Sequence, residues 1–552
     1  MKLLYTCPGL FIGCCAASFP DAQQPLVSTS NATKGSTDHA SNLANLTPAL
    51  EDYIGGVMRR WHIPGLAVAV IQDNETWAKG FGIASLPATP VTPDTLFFTG
   101  STTKSFTAAA VSLLIDNTSD YSSIQWTTPI SSLLPEEFVL SDEWATRHIT
   151  IEDALSHRTG YPRHDLSISK TTEELIHRLR YLPLSAEPRA KFQYCNHMFN
   201  VIGYLVTKLA GLSLGEFFHT YLWGPMGMNS TFLGAHDPRY KASGLPIADG
   251  YWYKFSTGEY IAQPILDESA DEGAGSTVSS VLDYAKYLRV MMSEAKPMTK
   301  AGHRGLKSAR SFWDRPGPPF VGPTTYSLGW ASGIFQDEQV WFHGGFVSTF
   351  RTEMLMIPSK DIGIVVMVNS PLDGIKIVLY RILYDLFNVE EEKRFNHEEQ
   401  AKQTFKFLLK YIKASPERLY PDLPSPPQPP TLSLVNHTGE YQDPGYGAFL
   451  VELECGDKDI NYKPLPVEDE QCYLRIRTPE DLNLQLYYDL EHKTGDYWIG
   501  WVHTPSYQDP EQPLAGVRVQ FRVDAEGRVS QLGMDVRMEG EDVPLVWFDR
   551  VG

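Results

Sequence analysis

Gly100-Ser101-Thr102-Thr103-Lys104-Ser105-Phe106, running on into Ala108-Ala109-Ala110 and Leu113-Leu114, is the stretch from which the fold is read. A hydroxyl and an amine three positions apart at the start of an apolar helix share one face, where the amine can hold or take the hydroxyl proton. The helix N-terminus adds partial positive charge that favours an oxyanion formed beside Ser101. Ser-x-x-Lys recurs at Ser167 to Lys170 and at Ser293 to Lys296. The first lies in a polar stretch after a turn and the second at a helix end, so only Ser101 opens an apolar helix.

Two further constellations lie downstream. Tyr194-Cys195-Asn196 opens a second amphipathic helix; a tyrosine near an ammonium can act as general base, and an asparagine amide can hold a substrate carbonyl. His343-Gly344-Gly345 follows the apolar run Val340-Trp341-Phe342 and precedes another strand. Glycines at a sheet edge let backbone approach a ligand closely. His303-Arg304-Gly305 has the same pattern but sits in a polar segment that reads as a loop.

The three motifs, in this order, resemble the serine β-lactamase and penicillin-binding-protein superfamily, in particular its class C β-lactamase, D-aminopeptidase and carboxylesterase branch (peptidase family S12-like). Leu155-Ser156-His157-Arg158-Thr159-Gly160, Gly273-Ala274-Gly275-Ser276-Thr277 and Tyr326-Ser327-Leu328-Gly329-Trp330 extend the resemblance over roughly residues 45 to 390. It implies that Ser101 attacks a carbonyl, that Lys104 and Tyr194 share the proton transfers, and that Asn196 binds substrate. The oxyanion hole would be the N–H groups of Ser101 and Phe346, with His343, Gly344 and Gly345 flanking the substrate. His343 departs from the lysine of true class C β-lactamases. A histidine is often neutral near pH 7, which removes a permanent partner for a substrate carboxylate.

The surrounding sequence suits an α+β domain at 47–390, an antiparallel sheet flanked by a helical region. Thr47-Pro48 starts a helix with Leu50, Ile54, Val57, Met58 and Trp61 on one face, and Leu66 to Gln72 with Thr76 to Ala84 forms a hairpin. Helical periodicity dominates from Ser101 to about Leu288. Strands return at Ser327 to Phe335, Gln339 to Phe342, Thr349 to Ile357 and Ile362 to Asn369, before a helix from Leu372 to Asn388. The sheet is thus expected to be built from both ends of the domain. A charged helix and a Pro-rich linker fill 391–431. The short alternating runs of 432–552 predict a small all-β barrel, and Gly439-Glu440-Tyr441 with Gly445-Tyr446-Gly447 resembles the lipocalin-like domains appended to some members of the family.

Composition narrows the function classes. At 552 residues the chain exceeds one core, and 42% hydrophobic with 12% aromatic residues suffices for folded domains. A net charge of −19 without a basic stripe argues against nucleic acid as a partner, and no apolar run is long enough to span a membrane. Lys2, the apolar run Leu3 to Cys15 and Ala16-Ala17-Ser18 read as a signal peptide at 1–18, followed by a flexible leader at 19–46. Sequons at Asn31, Asn45, Asn74, Asn117, Asn229 and Asn436 agree with a secreted or vesicular protein. Cys455 and Cys472 can pair there, which leaves Cys195 odd; no Cys-His signature surrounds it. The expectation is a serine hydrolase forming an acyl-enzyme with a small-molecule ester or amide, with no metal or cofactor. An acyltransferase of secondary metabolism, a D-amino-acid peptidase and a non-catalytic scaffold are the alternatives, and the oligomeric state is left open.

Overall fold

The computed structural model describes residues 48–265, 267, 269–313, 317–456, 465–467, 470–480, 482–504, 513–537 and 543–551. The expected signal peptide and leader, with Asn31 and Asn45, lie outside the described residues.

The chain forms an α+β unit around a nine-stranded antiparallel sheet, followed by a closed β-barrel. Its main strands are β1 (Gly65–Gln72), β2 (Glu75–Ser85), β3 (Val321–Tyr326), β4 (Ala331–Phe335), β5 (Glu338–Val347), β6 (Phe350–Ile357) and β7 (Ile362–Val368). Thr89–Pro90 and Ser311–Trp313 extend the two edges. The strand from the start of the domain pairs with the strand from its end, Leu66 opposite Val368 and Gln72 opposite Ile362. Asn369 clasps this seam. Its Oδ1 accepts from Gly65 N (2.7 Å), and its Nδ2 donates to Ile83 O (3.1 Å) and Asp249 O (3.0 Å).

The principal helices are α1 (Pro48–Arg60), α2 (Thr103–Asp116), α3 (Asn196–Ala210), α4 (Val281–Ser293), α5 (Ile375–Leu386) and α6 (His397–Lys413). The central strands are apolar on both faces because both are covered. Leu66, Val68, Val70, Ile364 and Val366 meet Leu50, Ile54 and Val57 of α1 and Ile375, Val378 and Ile382 of α5. Ala67, Ala69, Val365 and Met367 face the core that contains α4 and α2. Helix α2 is buried nearly all round, as its Ala108-Ala109-Ala110 run requires of a helix with almost no polar face.

Several local expectations change. The span from Ser101 to Leu288 is not helical throughout: a hairpin at Gly250–Lys254 and Glu259–Gln263 and a strand at Thr277–Ser279 interrupt it. His303-Arg304-Gly305 is helical, within Lys300–Lys307, rather than a loop. Its glycines face close neighbours: a Cβ on Gly302 would stand 2.3 Å from Ser112 Oγ, and one on Gly305 2.8 Å from the Trp126 indole nitrogen. Ser327 to Trp330 is the turn between β3 and β4, not strand, and β5 continues through His343-Gly344-Gly345 instead of ending before them.

The barrel strands are β8 (Gly439–Asp443), β9 (Gly447–Cys455), β10 (Glu470–Arg477), β11 (Tyr487–Thr494), β12 (Tyr497–His503), β13 (Ala515–Val523), β14 (Val529–Met534) and β15 (Val546–Val551). Each pairs with the next, β9 with β10 included, and β15 closes on β8. Tyr441, Phe449, Tyr488, Trp498, Leu532 and Phe548 are buried, so side chains fill the barrel core. The Pro-rich segment is pinned rather than free. Pro416 sits in the first turn of the short helix Ser415–Leu419, and Tyr420 Oη donates to Trp498 O (3.1 Å) and Val519 O (3.2 Å).

Cys455 and Cys472 face each other across β9 and β10 and are disulfide-bonded, 17 residues apart in sequence. Replacing both with serine is expected to lower barrel stability by about 3 kcal/mol, the effect of opening a loop of that size. A urea denaturation midpoint unchanged from wild type would contradict this.

Candidate active site

Ser101 lies in a one-turn 3-10 segment, Gly100–Thr102, that feeds α2, so the helix proper begins at Thr103. Gly100 adopts φ +54°, and a Cβ there would stand 2.6 Å from the Phe346 amide nitrogen. A Cβ on Gly345 would overlap Thr99 O at 1.9 Å and lie 3.2 Å from Ser101 N. The two glycines therefore let β5 run against the turn carrying Ser101. This brings the Ser101 and Phe346 amides to one place, as an oxyanion hole needs.

Around the hydroxyl, Tyr194 Oη lies 2.7 Å from Ser101 Oγ and Lys104 Nζ 3.2 Å from it. Lys104 is fully buried, and its Nζ also donates to Asn196 Oδ1 (2.7 Å) and Ala274 O (2.9 Å). It stands over the rings of Tyr194 (4.8 Å) and Phe199 (5.4 Å). Burial of an amine is tolerable because acceptors surround it. A neutral amine could direct two N–H bonds to the acceptor-only oxygens and its lone pair to the serine; an ammonium could donate to all three. Lys104 and Tyr194 thus both reach the Ser101 hydroxyl.

The Gly273-Ala274-Gly275 turn delivers the Ala274 carbonyl. A Cβ on Gly273 would stand 2.3 Å from Phe199 O, and Thr107 Oγ1 donates to Gly273 O (2.7 Å), which wedges the turn between α2 and α3. Asn196 sits at the first position of α3 and donates through Nδ2 to Asp165 Oδ1 (3.1 Å). Asp165 is paired with Arg163, whose guanidinium lies 5.3 Å from the Tyr194 ring centroid. Burial would raise the Asp165 carboxyl, but Arg163, His197 and Lys104 hold it below the usual carboxylate range.

The sequence reading missed Arg163, Asp165 and the Ala274 carbonyl. It also gave His157 no separate role. His157 packs under Tyr194 with ring centroids 4.2 Å apart, and its Nδ1 accepts from Cys195 N (3.1 Å); burial and then Lys104 drive its pKa well below the usual value.

His343 is buried on the face of β5 that backs Thr99 and Ser101. Its Nδ1 lies 2.7 Å from Gly344 O and its Nε2 2.9 Å from Tyr326 Oη. A carbonyl only accepts, so Nδ1 carries the proton and Nε2 accepts from the tyrosine. Burial, then the charge of Lys104, pushes its pKa down to about 3. The imidazole is neutral and both its nitrogens are engaged within the protein. Gly344 sits over the buried Glu353 carboxylate, 2.9 Å from where a Cβ would be.

The other motif copies assemble nothing similar. Ser167 Oγ bonds to His164 O and His197 Nε2, and Ser293 Oγ donates to Arg289 O. The Cys195 thiol is fully buried, and burial pushes it up to about 12, which is unsuited to a nucleophile. Asn74, Asn117, Asn229 and Asn436 are all exposed. Among the described residues no group of His, Cys, Asp or Glu is arranged to hold a metal ion, and no single helix is long and apolar enough to cross a membrane.

The model of the Beta-lactamase family matches residues 50–376. This chain belongs to that family. It is 39% identical over 404 residues to "Unguisins hydrolase ungD'" of Aspergillus campestris, covering 71% of this chain and 75% of that protein. It is 32% identical over 524 residues to "Unguisins hydrolase ungD" of Aspergillus violaceofuscus, covering 90% and 89%. Among solved structures, the octameric penicillin-binding protein homologue from Pyrococcus abyssi superposes with a TM-score of 0.55 at 20% identity, over 91% of this chain and 99% of the other. That likeness reaches through the barrel and concerns the fold.

Asp271 lies beside the cluster and is largely, though not fully, enclosed. Burial pushes its carboxyl up to about 6, against the pull of Lys104 and a hydrogen bond from Asn200 Nδ2 (2.8 Å). Between roughly pH 4 and 6 the folded chain keeps a proton that the unfolded chain has lost, so stability from this group falls as pH rises through that window. Asp271→Asn is expected to raise stability over wild type at pH 8, by up to about 3 kcal/mol, and to leave it unchanged at pH 4. Thermal melts at the two pH values test the sign; a gain at pH 4 alone would refute it.

Proposed function

We propose that this protein is a serine hydrolase that opens an amide or ester bond through an acyl-enzyme on Ser101. The observation that carries this reading is the convergence of Lys104 Nζ and Tyr194 Oη on the Ser101 hydroxyl beside two backbone amides. Ser101 Oγ attacks the substrate carbonyl carbon, and its proton passes to the Lys104–Tyr194 pair. The carbonyl oxygen takes the negative charge against the Ser101 and Phe346 N–H groups. When the tetrahedral species collapses, the bond to the leaving nitrogen or oxygen breaks and that atom takes the proton from the pair. Water then adds to the acyl carbon while the pair accepts its proton, and Ser101 leaves with a proton restored.

The relatives named as unguisins hydrolases support an amide substrate of the unguisin kind. The neutral His343 supports one without a free carboxylate near the scissile bond. Of the cations touching the serine cluster, Lys104 is surrounded by protein acceptors and Arg163 is committed to Asp165. A negatively charged substrate flank would meet these two cations already engaged with protein acceptors. The four exposed sequons and the disulfide support a secretory route for the chain.

Wild type is expected to take up a fluorophosphonate on the peptide containing Ser101, and Ser101→Ala to take up none; mass spectrometry that finds wild type unlabelled would sink the hydrolase reading. Its kcat/KM for a neutral p-nitrophenyl ester is expected to exceed that for benzylpenicillin by at least about 100-fold, the weight of one missing charged hydrogen bond. Comparable efficiencies would refute the role given to His343.

A further inference from the structure

Among the contacts between the barrel and the catalytic unit, one joins two buried polar side chains. Tyr446, in the turn between β8 and β9, is 1% exposed, and its Oη lies 2.6 Å from Nδ1 of His164, which is 0% exposed. Nε2 of His164 lies 3.0 Å from Pro183 O. The carbonyl can only accept, so the proton is on Nε2, and Nδ1 receives the Tyr446 hydroxyl proton. Burial, then His197, lowers the His164 pKa to about 3, in keeping with a neutral ring of fixed tautomer.

His164 stands between the two residues that reach the nucleophile's partners. On one side is Arg163, over the Tyr194 ring; on the other is Asp165, which accepts from Asn196 and so orients the amide oxygen that receives Lys104. The same segment is held from the barrel at a second point, where Asn483 N donates to Ile168 O (2.8 Å) and Ser169 bridges to Leu482. Asp443 Oδ1, accepting from Gly445 N and Tyr446 N, shapes the turn that presents the tyrosine.

We infer that Tyr446 is a positioning residue for the catalytic centre: its hydroxyl, donated from the barrel to His164, fixes the Arg163–Asp165 segment that sets Tyr194 and Asn196 around Ser101 and Lys104. This rests on the Ser101 hydrolase reading. It gives the barrel a defined task in catalysis, carried by one hydrogen bond between two buried groups. Removing the donor leaves the His164 acceptor buried and unsatisfied, and the segment can relieve that only by shifting.

Tyr446→Phe deletes the hydroxyl and keeps the ring against Phe548, 6.2 Å between centroids. In the full chain, fluorophosphonate labelling of Ser101 and kcat for p-nitrophenyl acetate are expected to fall about tenfold, with KM within about twofold of wild type. In an Asp165→Asn background the same change is expected to slow labelling less than about twofold, because the path it acts through is already weakened. Equal labelling of wild type and Tyr446→Phe would overturn the inference. So would a tenfold loss of the same size in both backgrounds, or a loss confined to KM. A wild type that takes no label would instead bring down the nucleophile itself, so the two failures are distinguishable.

Discussion

A primary amine buried with no exposed surface is the constraint from which the architecture of the site follows. Lys104 can occupy the core only if oxygen acceptors meet its Nζ, and those acceptors come from three separate parts of the chain. Helix α3 must begin at Asn196 to supply one. A glycine-rich turn must squeeze between two helices to supply the second, and Ser101 itself is the third. Gly273, Gly345 and Gly100 each stand where any side chain would push one of these pieces out of reach. The geometry of the Ser101 cluster and the packing of the core are thus one requirement. A change that loosens either side exposes the other.

What was legible in the sequence follows from that requirement. Ser101 and Lys104 are one turn apart on one helix, and Tyr194 and Asn196 head another, so local periodicity displays them. The sheet built from both ends was legible because β1 and β7, which pair across the seam, are almost wholly apolar runs, the mark of strands covered on both faces. Arg163 and Asp165 left no such trace. They lie in an irregular stretch, and their importance comes from a buried ion pair that no spacing announces. The Ala274 carbonyl carries no side-chain signal at all, although the glycines around it did mark a close approach.

Two of the misread segments contain glycines. Glycine lowers helix and strand propensity, yet the helix Lys300–Lys307 contains Gly302 and Gly305 and β5 runs on through Gly344-Gly345. In each case close packing overrides propensity: a neighbouring side chain or backbone occupies the volume a Cβ would need. His343 was read as a departure from a lysine. Its neutrality has a firmer basis in three dimensions than in a reference pKa, because a carbonyl and a tyrosine take both nitrogens in the core.

The clasp at Asn369 has a consequence for how the molecule comes into being. Gly65 N and Asn369 Oδ1 are separated by 304 positions, and β1 has no neighbour on that side until β7 exists. During synthesis the N-terminal hairpin must therefore wait, one edge open and apolar, while the helical region, the nucleophile turn and most of the sheet leave the ribosome. Contacts of such long range close slowly and leave strand edges open to misassociation meanwhile. The Phe346 amide beside Ser101 belongs to β5 of that same sheet, so this part of the serine cluster, too, forms only through contacts between distant parts of the chain.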